Sequence, residues 1–209
     1  MIHALTPKAI TKETLNYIID IKYPQGFSQP EVNSVLDTFI AETQKAFLTE
    51  LNEDDDTPAD APGKTGLNVT YSIPYHSKNA LSVRFNLSIY HRGAAHPLNT
   101  VIVKNFVNGK TVALADLFLE KTHYLSLIAQ FCNKQISAKK ISDSNWIAEG
   151  TKPTEENFGV WYFTNKGITV LFNNYQVAAY VYGVQRVTVP LSVLSPLIKP
   201  ELVTVVWSN

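Results

Sequence analysis

Two histidines, His91 and His96, stand five residues apart in the run Tyr90-His91-Arg92-Gly93-Ala94-Ala95-His96-Pro97. Imidazoles this close could share a metal or relay a proton. A five-residue step across a turn is not a zinc-ligand spacing, however, and no carboxylate stands beside them to complete a donor set. Glu155 and Glu156 form a carboxylate pair, but glycosidic cleavage needs two carboxyls facing the bond from separate elements, and neighbours on one polar loop are more simply solvated. The run Asp54-Asp55-Asp56 invites calcium, yet lacks the alternating ligands, central glycine and closing glutamate of an EF-hand. No Gly-x-Ser-x-Gly elbow, Ser-x-x-Lys pair, His-Glu-x-x-His helix or Gly-rich phosphate loop occurs. No catalytic residue, metal ligand or cofactor is therefore assigned.

The elements that would position these groups can be read from periodicity. Leu15, Tyr17, Ile19, Ile21 and Tyr23 alternate with polar neighbours as in a half-buried strand. Ser28-Gln29-Pro30-Glu31 has the spacing of a capping box, and Val32, Val35, Leu36, Phe39, Thr43, Phe47 and Leu51 trace a helical stripe behind it. Residues 52–66 lack apolar periodicity and carry a block of negative charge, which reads as a mobile surface loop. Leu67, Val69, Tyr71, Ile73 and Tyr75, then Leu81, Val83, Phe85, Leu87 and Ile89, form an antiparallel hairpin across Ser77-Lys78-Asn79.

A third strand lies between Leu98 and Val107 and stops at the turn pair Asn108-Gly109, with a short helical turn at Leu114–Phe118. Leu125, Ile128, Ala129, Cys132 and Ile136 mark a second amphipathic helix, closed by Lys139 and Lys140 near the negative end of its dipole. Residues 141–157 read as a polar loop around Trp146. A hairpin follows at Phe158–Thr164 and Ile168–Phe172, then a strand at Val184–Val189, a short helix at Leu191–Ile198 and a closing strand at Leu202–Trp207. Hairpins with two main helices and no regular β-α-β alternation predict an α+β fold built on an antiparallel sheet.

Composition bounds the function classes. The 209 residues include eighteen basic and eighteen acidic side chains, so no global field drives the chain toward nucleic acid or anionic lipid. Cys132 is the single cysteine, which excludes an internal disulfide and a multi-cysteine zinc site; its place on an apolar helix face makes it a buried small hydrophobe. No apolar run approaches the ~18 residues of a membrane span, and the start has no charged region feeding an apolar stretch. That start fits a cytoplasmic protein or an exported one whose leader is missing. The aromatic segment Asn173–Gly183 places Tyr175, Tyr180 and Tyr182 between strands, where tyrosines can anchor a partner at low entropic cost or simply cover the end of the sheet.

Three motifs in order carry a resemblance. Arg92-Gly93-Ala94-Ala95-His96-Pro97 is similar to a Gly-Gly-Ala-His turn. Asn105-Phe106 with Asn108-Gly109-Lys110 and Leu114–Phe118 forms the second motif. Phe163, Lys166-Gly167, Phe172, Tyr175–Tyr180, Gly183 and Val187–Pro190 form the third. Together, from about Leu15 to Ile198, they resemble the domain family shared by the lysozyme-sensing anti-sigma factor RsiV and the non-catalytic N-terminal part of the peptidoglycan deacetylase PdaC. Ala94, Gln176 and Ala179 depart from that family's second glycine, acidic residue and proline.

The resemblance implies an exported or membrane-tethered bacterial envelope domain, periplasmic or extracellular, used for binding rather than catalysis. A lysozyme-like protein or a cell-wall glycan is its expected partner, with no nucleic acid and no membrane insertion. Arg92, Gly93, His96, Tyr175, Tyr180 and Tyr182 are the expected contacts. The competing expectation is a stand-alone envelope hydrolase that pairs His91 or His96 with a carboxylate from elsewhere. An N-terminal strand-helix subdomain over residues 1–66 and an α+β domain over 67–209, packed as one unit, are the expected domain organisation.

Overall fold

The α+β class is observed in the computed structural model, which describes residues 5–53 and 62–208. Strands β1 (Thr6–Glu13), β2 (Tyr17–Gln25), β3 (Thr65–His76), β4 (Ala80–Tyr90), β5 (Leu98–Val107) and β6 (Lys110–Thr111) are hydrogen-bonded in sequence order. Strands β7 (Trp161–Thr164), β8 (Gly167–Phe172) and β9 (Gln185–Pro190) form a second, antiparallel sheet. The helices are α1 (Pro30–Glu53), α2 (Tyr124–Ala138), α3 (Ser144–Gly150), α4 (Leu191–Leu194) and α5 (Pro200–Trp207). Asp54, Asp55 and Asp56 of the expected acidic loop lie outside the described residues.

The chain divides into two compact units, residues 1–71 with 85–100 and residues 72–84 with 101–209. In the first, Ile19, Ile21 and Tyr23 of β2, Val32, Leu36, Ile40 and Phe47 of α1, and Leu67 and Val69 of β3 are buried. Phe39 sets its ring 4.9 Å from that of Phe85. β2 and β3 run parallel, with Ile19 opposite Leu67, so the connection through α1 is a crossover rather than a hairpin. This parallel pairing was not foreseen, because the helix and the strands read as separate local patterns.

Asp37 ties α1 to the first two strands. It accepts from the Tyr23 hydroxyl at 2.7 Å, from Lys8 Nζ at 3.2 Å and from Gln25 Nε2 at 3.2 Å. The Tyr23 hydrogen bond above all, with Lys8 behind it, holds the Asp37 carboxyl below its ordinary value. β1 escaped the sequence reading because every residue except Ile10 is exposed, leaving no alternation to detect. Leu15 belongs to the β1–β2 turn rather than to a strand and is 92% exposed. The start of α1 also differs from expectation. Ser28 donates to Gln29 Oε1 at 3.0 Å, while Asn33 Oδ1 accepts from the amides of Gly26 and Phe27. Asn33, not a Ser28–Glu31 capping box, organises the approach to the helix.

The second unit buries Trp161, Phe163, Ile168, Val170 and Phe172 of the small sheet against Ile128, Cys132 and Ile136 of α2. Burial pushes the Cys132 thiol up to about 12, as expected of a cysteine used for packing. A polar thread runs through this core. Ser82, fully buried, donates to Asn105 Oδ1 at 2.6 Å and accepts from the Phe163 amide, and Asn105 Nδ2 donates to the Trp161 carbonyl at 2.7 Å. Strands β4, β5 and β7 are thereby joined with these buried polar groups satisfied.

Three elements of this unit differ from the reading of the sequence. The expected loop over 141–157 contains α3, started by Asp143, whose side chain accepts from the Trp146 amide at 2.9 Å. The expected closing strand is the helix α5. Pro200 takes a first-turn position, Val206 is buried, and Trp207 Nε1 donates to the Thr164 carbonyl at 2.9 Å. Packing there overrides the strand preference of its β-branched residues. The expected helix over Leu191–Ile198 ends at Leu194, after which Ile198 bridges to Phe118.

Candidate functional site

The turn between β4 and β5 belongs to the first unit. Ala94 donates to the His91 carbonyl at 2.9 Å, which closes it, and Gly93 sits at a φ of 86°, a conformation that costs glycine nothing. The Arg92 amide donates to Thr65 Oγ1 at 3.1 Å. His96 is exposed, with Nδ1 3.1 Å from the Pro97 carbonyl. Among the described residues, no group of three or more His, Cys, Asp or Glu side chains could hold a metal ion.

Tyr175, Tyr180 and Tyr182 belong to the second unit. The segment that carries them leaves β8 at Phe172 and re-enters the sheet at Gln185 through a single 3-10 turn, Tyr180–Tyr182. The Tyr175 and Tyr180 rings meet at 5.6 Å. Tyr175 is 51% exposed, Tyr182 48% and Val181 84%, so an apolar tip stands between aromatic flanks.

Tyr175 has a φ of 68°, in the left-handed region where a bulky L-residue is strained by roughly 1–2 kcal/mol. Several bonds hold it there. Trp146 Nε1 donates to the Tyr175 carbonyl at 2.8 Å. Asn173 exchanges two hydrogen bonds with the backbone of Val101. The Gln176 side-chain amide donates to the Gly150 carbonyl at 3.1 Å and to the Asn157 carbonyl at 2.9 Å, while its Oε1 accepts from the Asn173 amide. Gly150 completes the fit: a Cβ there would fall 2.0 Å from the Gln176 carbonyl oxygen.

Of the six expected contacts, the tyrosines come together on this loop, whereas Arg92, Gly93 and His96 lie on the turn of the other unit. Sequence reasoning missed the supports Trp146, Gly150 and Gln176. The Asp143 cap was the one local sign of the helix that carries the first two.

A second feature of this unit was also missed. Tyr124 stacks on Phe118 with centroids 4.4 Å apart, beside a cavity of about 160 Å³ also lined by Leu114, Leu125, Phe158, Trp161 and Glu155. Glu155, whose pairing with Glu156 had suggested only solvation, contributes the single charged side chain of that lining.

An α+β domain with these two parts has a family. Residues 10–99 match the family model described as "Deacetylase PdaC", and residues 115–192 match that described as "Protein of unknown function (DUF3298)". Two family models thus match successive parts of this chain, as the resemblance to the domain shared by RsiV and PdaC leads one to expect. It is 26% identical over 194 residues to the peptidoglycan-N-acetylmuramic acid deacetylase PdaC of Bacillus subtilis strain 168, an alignment covering 91% of this chain and 40% of that protein. It is 24% identical over 211 aligned positions to the anti-sigma-V factor RsiV of the same organism, covering 96% of this chain and 72% of RsiV.

The chain thus spans less than half the length of PdaC. Two crystal structures share its fold. A DUF3298 family member from Bacteroides fragilis NCTC 9343 superposes with a TM-score of 0.64 at 17% identity, covering 94% of both chains. One from Pseudomonas aeruginosa PAO1 gives 0.66 at 12% identity, covering 95% of this chain and 96% of that one. Among the described residues, no helix is long and apolar enough to cross a membrane.

Proposed function

We propose that this chain is a non-catalytic binding domain of a bacterial cell envelope, whose ligand is a lysozyme-like protein or a cell-wall glycan. The observation that carries the reading is Tyr175, held in a left-handed conformation with half its surface exposed and a ring partner in Tyr180. A loop already ordered in the free protein spares the ordering cost on binding, and tyrosine supplies large contact area with few rotatable bonds. The exposed Val181, between Tyr180 and Tyr182 in the chain, favours a protein ligand, with the glycan as second choice. Relatives named as a peptidoglycan deacetylase and an anti-sigma factor support an envelope setting. The turn Arg92–Pro97 is proposed as a further contact.

Calorimetric titration with lysozyme and with soluble peptidoglycan fragments tests the proposal. Binding of either, weakened at least tenfold by Tyr175→Ala, is the expected result, since a central aromatic anchor is worth about 2 kcal/mol or more. Absence of heat with both ligands rejects the ligand assignment. Turnover of the fragments that disappears in His96→Ala would replace binding with the hydrolase alternative.

A further inference from the structure

The cavity beside Tyr124 has a composition of its own. Its walls are aromatic and aliphatic, from Trp161, Phe158, Leu114 and Leu125, and its charged component is one carboxylate, Glu155. Glu155 is exposed and enters no ion pair or side-chain hydrogen bond among the described residues. Of the other polar side chains of the lining, Asn105 is already committed to Ser82 and Trp161, and Tyr124 adds a hydroxyl.

We propose that this cavity is a binding site for an alkylammonium group, the end of a lysine side chain or a free aliphatic amine. Apolar walls accept the methylene stem, the aromatic rings attract the cation, and Glu155 at the mouth neutralises it. A carboxylate ligand would meet Glu155 with like charge, and a neutral alcohol would gain no ionic contact. The electrostatics of Tyr124 agree: burial chiefly, and then the nearby Glu155 and Asp116 carboxylates, raise its hydroxyl above the ordinary value. Asp116 does not line the cavity, and its Oδ2 accepts from the Ala113 amide at 2.7 Å, so Glu155 is the carboxylate that the lining offers an incoming ammonium. This second unit carries twelve basic and seven acidic residues, so the attraction is local to the mouth rather than a property of the unit.

The site also connects to the tyrosine loop. Gln176 donates to the carbonyl of Asn157, on the segment that carries Glu155. An ammonium held at Glu155 and a surface resting on Tyr175 would therefore share one support. Occupancy of the cavity does not depend on what the tyrosines bind.

Chemical-shift titration of the intact, ¹⁵N-labelled chain, followed at the Trp161 indole and the amides of 155–159, tests it with four probes. Expected are saturable shifts with n-butylammonium, much weaker ones with n-butanol and none with butyrate. Glu155→Gln should weaken the ammonium about two- to fivefold toward the alcohol, as loss of an exposed charge pair implies. Ala115→Phe, a substitution at an exposed position of the lining, should abolish binding of all probes while leaving the remaining spectrum unchanged. Nα-acetyl-lysine methylamide separates the sources: shifts equal to those of butylammonium assign a lysine side chain, and shifts with butylammonium alone assign a free amine. Equal affinity for butanol and butylammonium, indifference to Glu155→Gln, or no shift with any probe overturns the proposal. None of these readouts involves lysozyme or peptidoglycan, so this proposal and the preceding one fail separately.

Discussion

Asn173 and Val101 hold each other by both polar edges: the Val101 amide donates to Asn173 Oδ1 at 2.8 Å, and Asn173 Nδ2 donates to the Val101 carbonyl at 3.2 Å. One side chain thus serves as a strand neighbour for β5 at the point where the tyrosine loop departs. Asn173→Ala leaves a backbone pair unsatisfied and should cost about 1–3 kcal/mol. Chemical denaturation measures the loss. Hydrogen exchange should speed up most at residues 174–183, and uniform exchange across the chain would contradict the anchoring role.

Gly150 is the contact point between α3 and the tyrosine loop. In Gly150→Ala the new methyl would lie 2.0 Å from the Gln176 carbonyl oxygen, so one backbone must move. A destabilisation of about 1–3 kcal/mol is expected. A thermal melt within a degree of the parent would show that the two segments yield freely.

If the proposed function holds, a substitution at Tyr175 separates stability from recognition. Asparagine enters the left-handed region far more readily than tyrosine, so Tyr175→Asn should keep or raise stability, by up to about 1 kcal/mol. It should also remove the exposed ring and weaken ligand binding. A variant that loses stability and binding together would argue that the ring is there for packing.

Gln176 uses its amide hydrogens on two carbonyls, which a carboxylate cannot do. Gln176→Glu should destabilise the protein by about 1–3 kcal/mol at neutral pH. Facing acceptors, the new carboxyl should titrate above its ordinary value, because only its protonated form donates. Its deficit is then largest above that raised value and shrinks as the pH falls through it. A deficit independent of pH between about 4 and 7 would rule this out.

Asp37 gives the opposite sign. Its folded value lies below the ordinary one, through Tyr23 first and then Lys8, so its contribution is complete above the unfolded value of about 3.9. The contribution is lost as the pH falls through the folded value. Asp37 is partly exposed, which keeps the effect under about 1 kcal/mol. Urea midpoints of the parent and Asp37→Asn should differ at pH 7 and converge near pH 2.

What the sequence made legible followed from period. The β3–β4 hairpin, the stripe of α2 and the turn at Asn108-Gly109 are places where local pattern and tertiary packing agree. β1 had no pattern because it is an exposed edge held by backbone pairing, with Lys8 and Lys12 laid over Tyr23 and Tyr17. α5 had the wrong pattern, since valines and threonine read as strand until Val206 and Trp207 find the core. At the candidate site the tyrosines were visible as composition. Trp146 reaches Tyr175 across twenty-nine positions and Gln176 reaches Gly150 across twenty-six, and such pairings leave no trace in neighbouring residues.

Strands β3 and β4 each contribute one end to either unit, so the units are interleaved along the chain. A fragment beginning at residue 101 would lack Tyr75, Ala80 and Ser82, and with Ser82 the centre of the polar thread through the second core. A fragment ending there would carry those segments without the helices they pack on. Deletion mapping, the usual way to assign a ligand to half of a protein, would report misfolding here rather than binding. Credit for recognition must be divided by point substitutions in the whole chain.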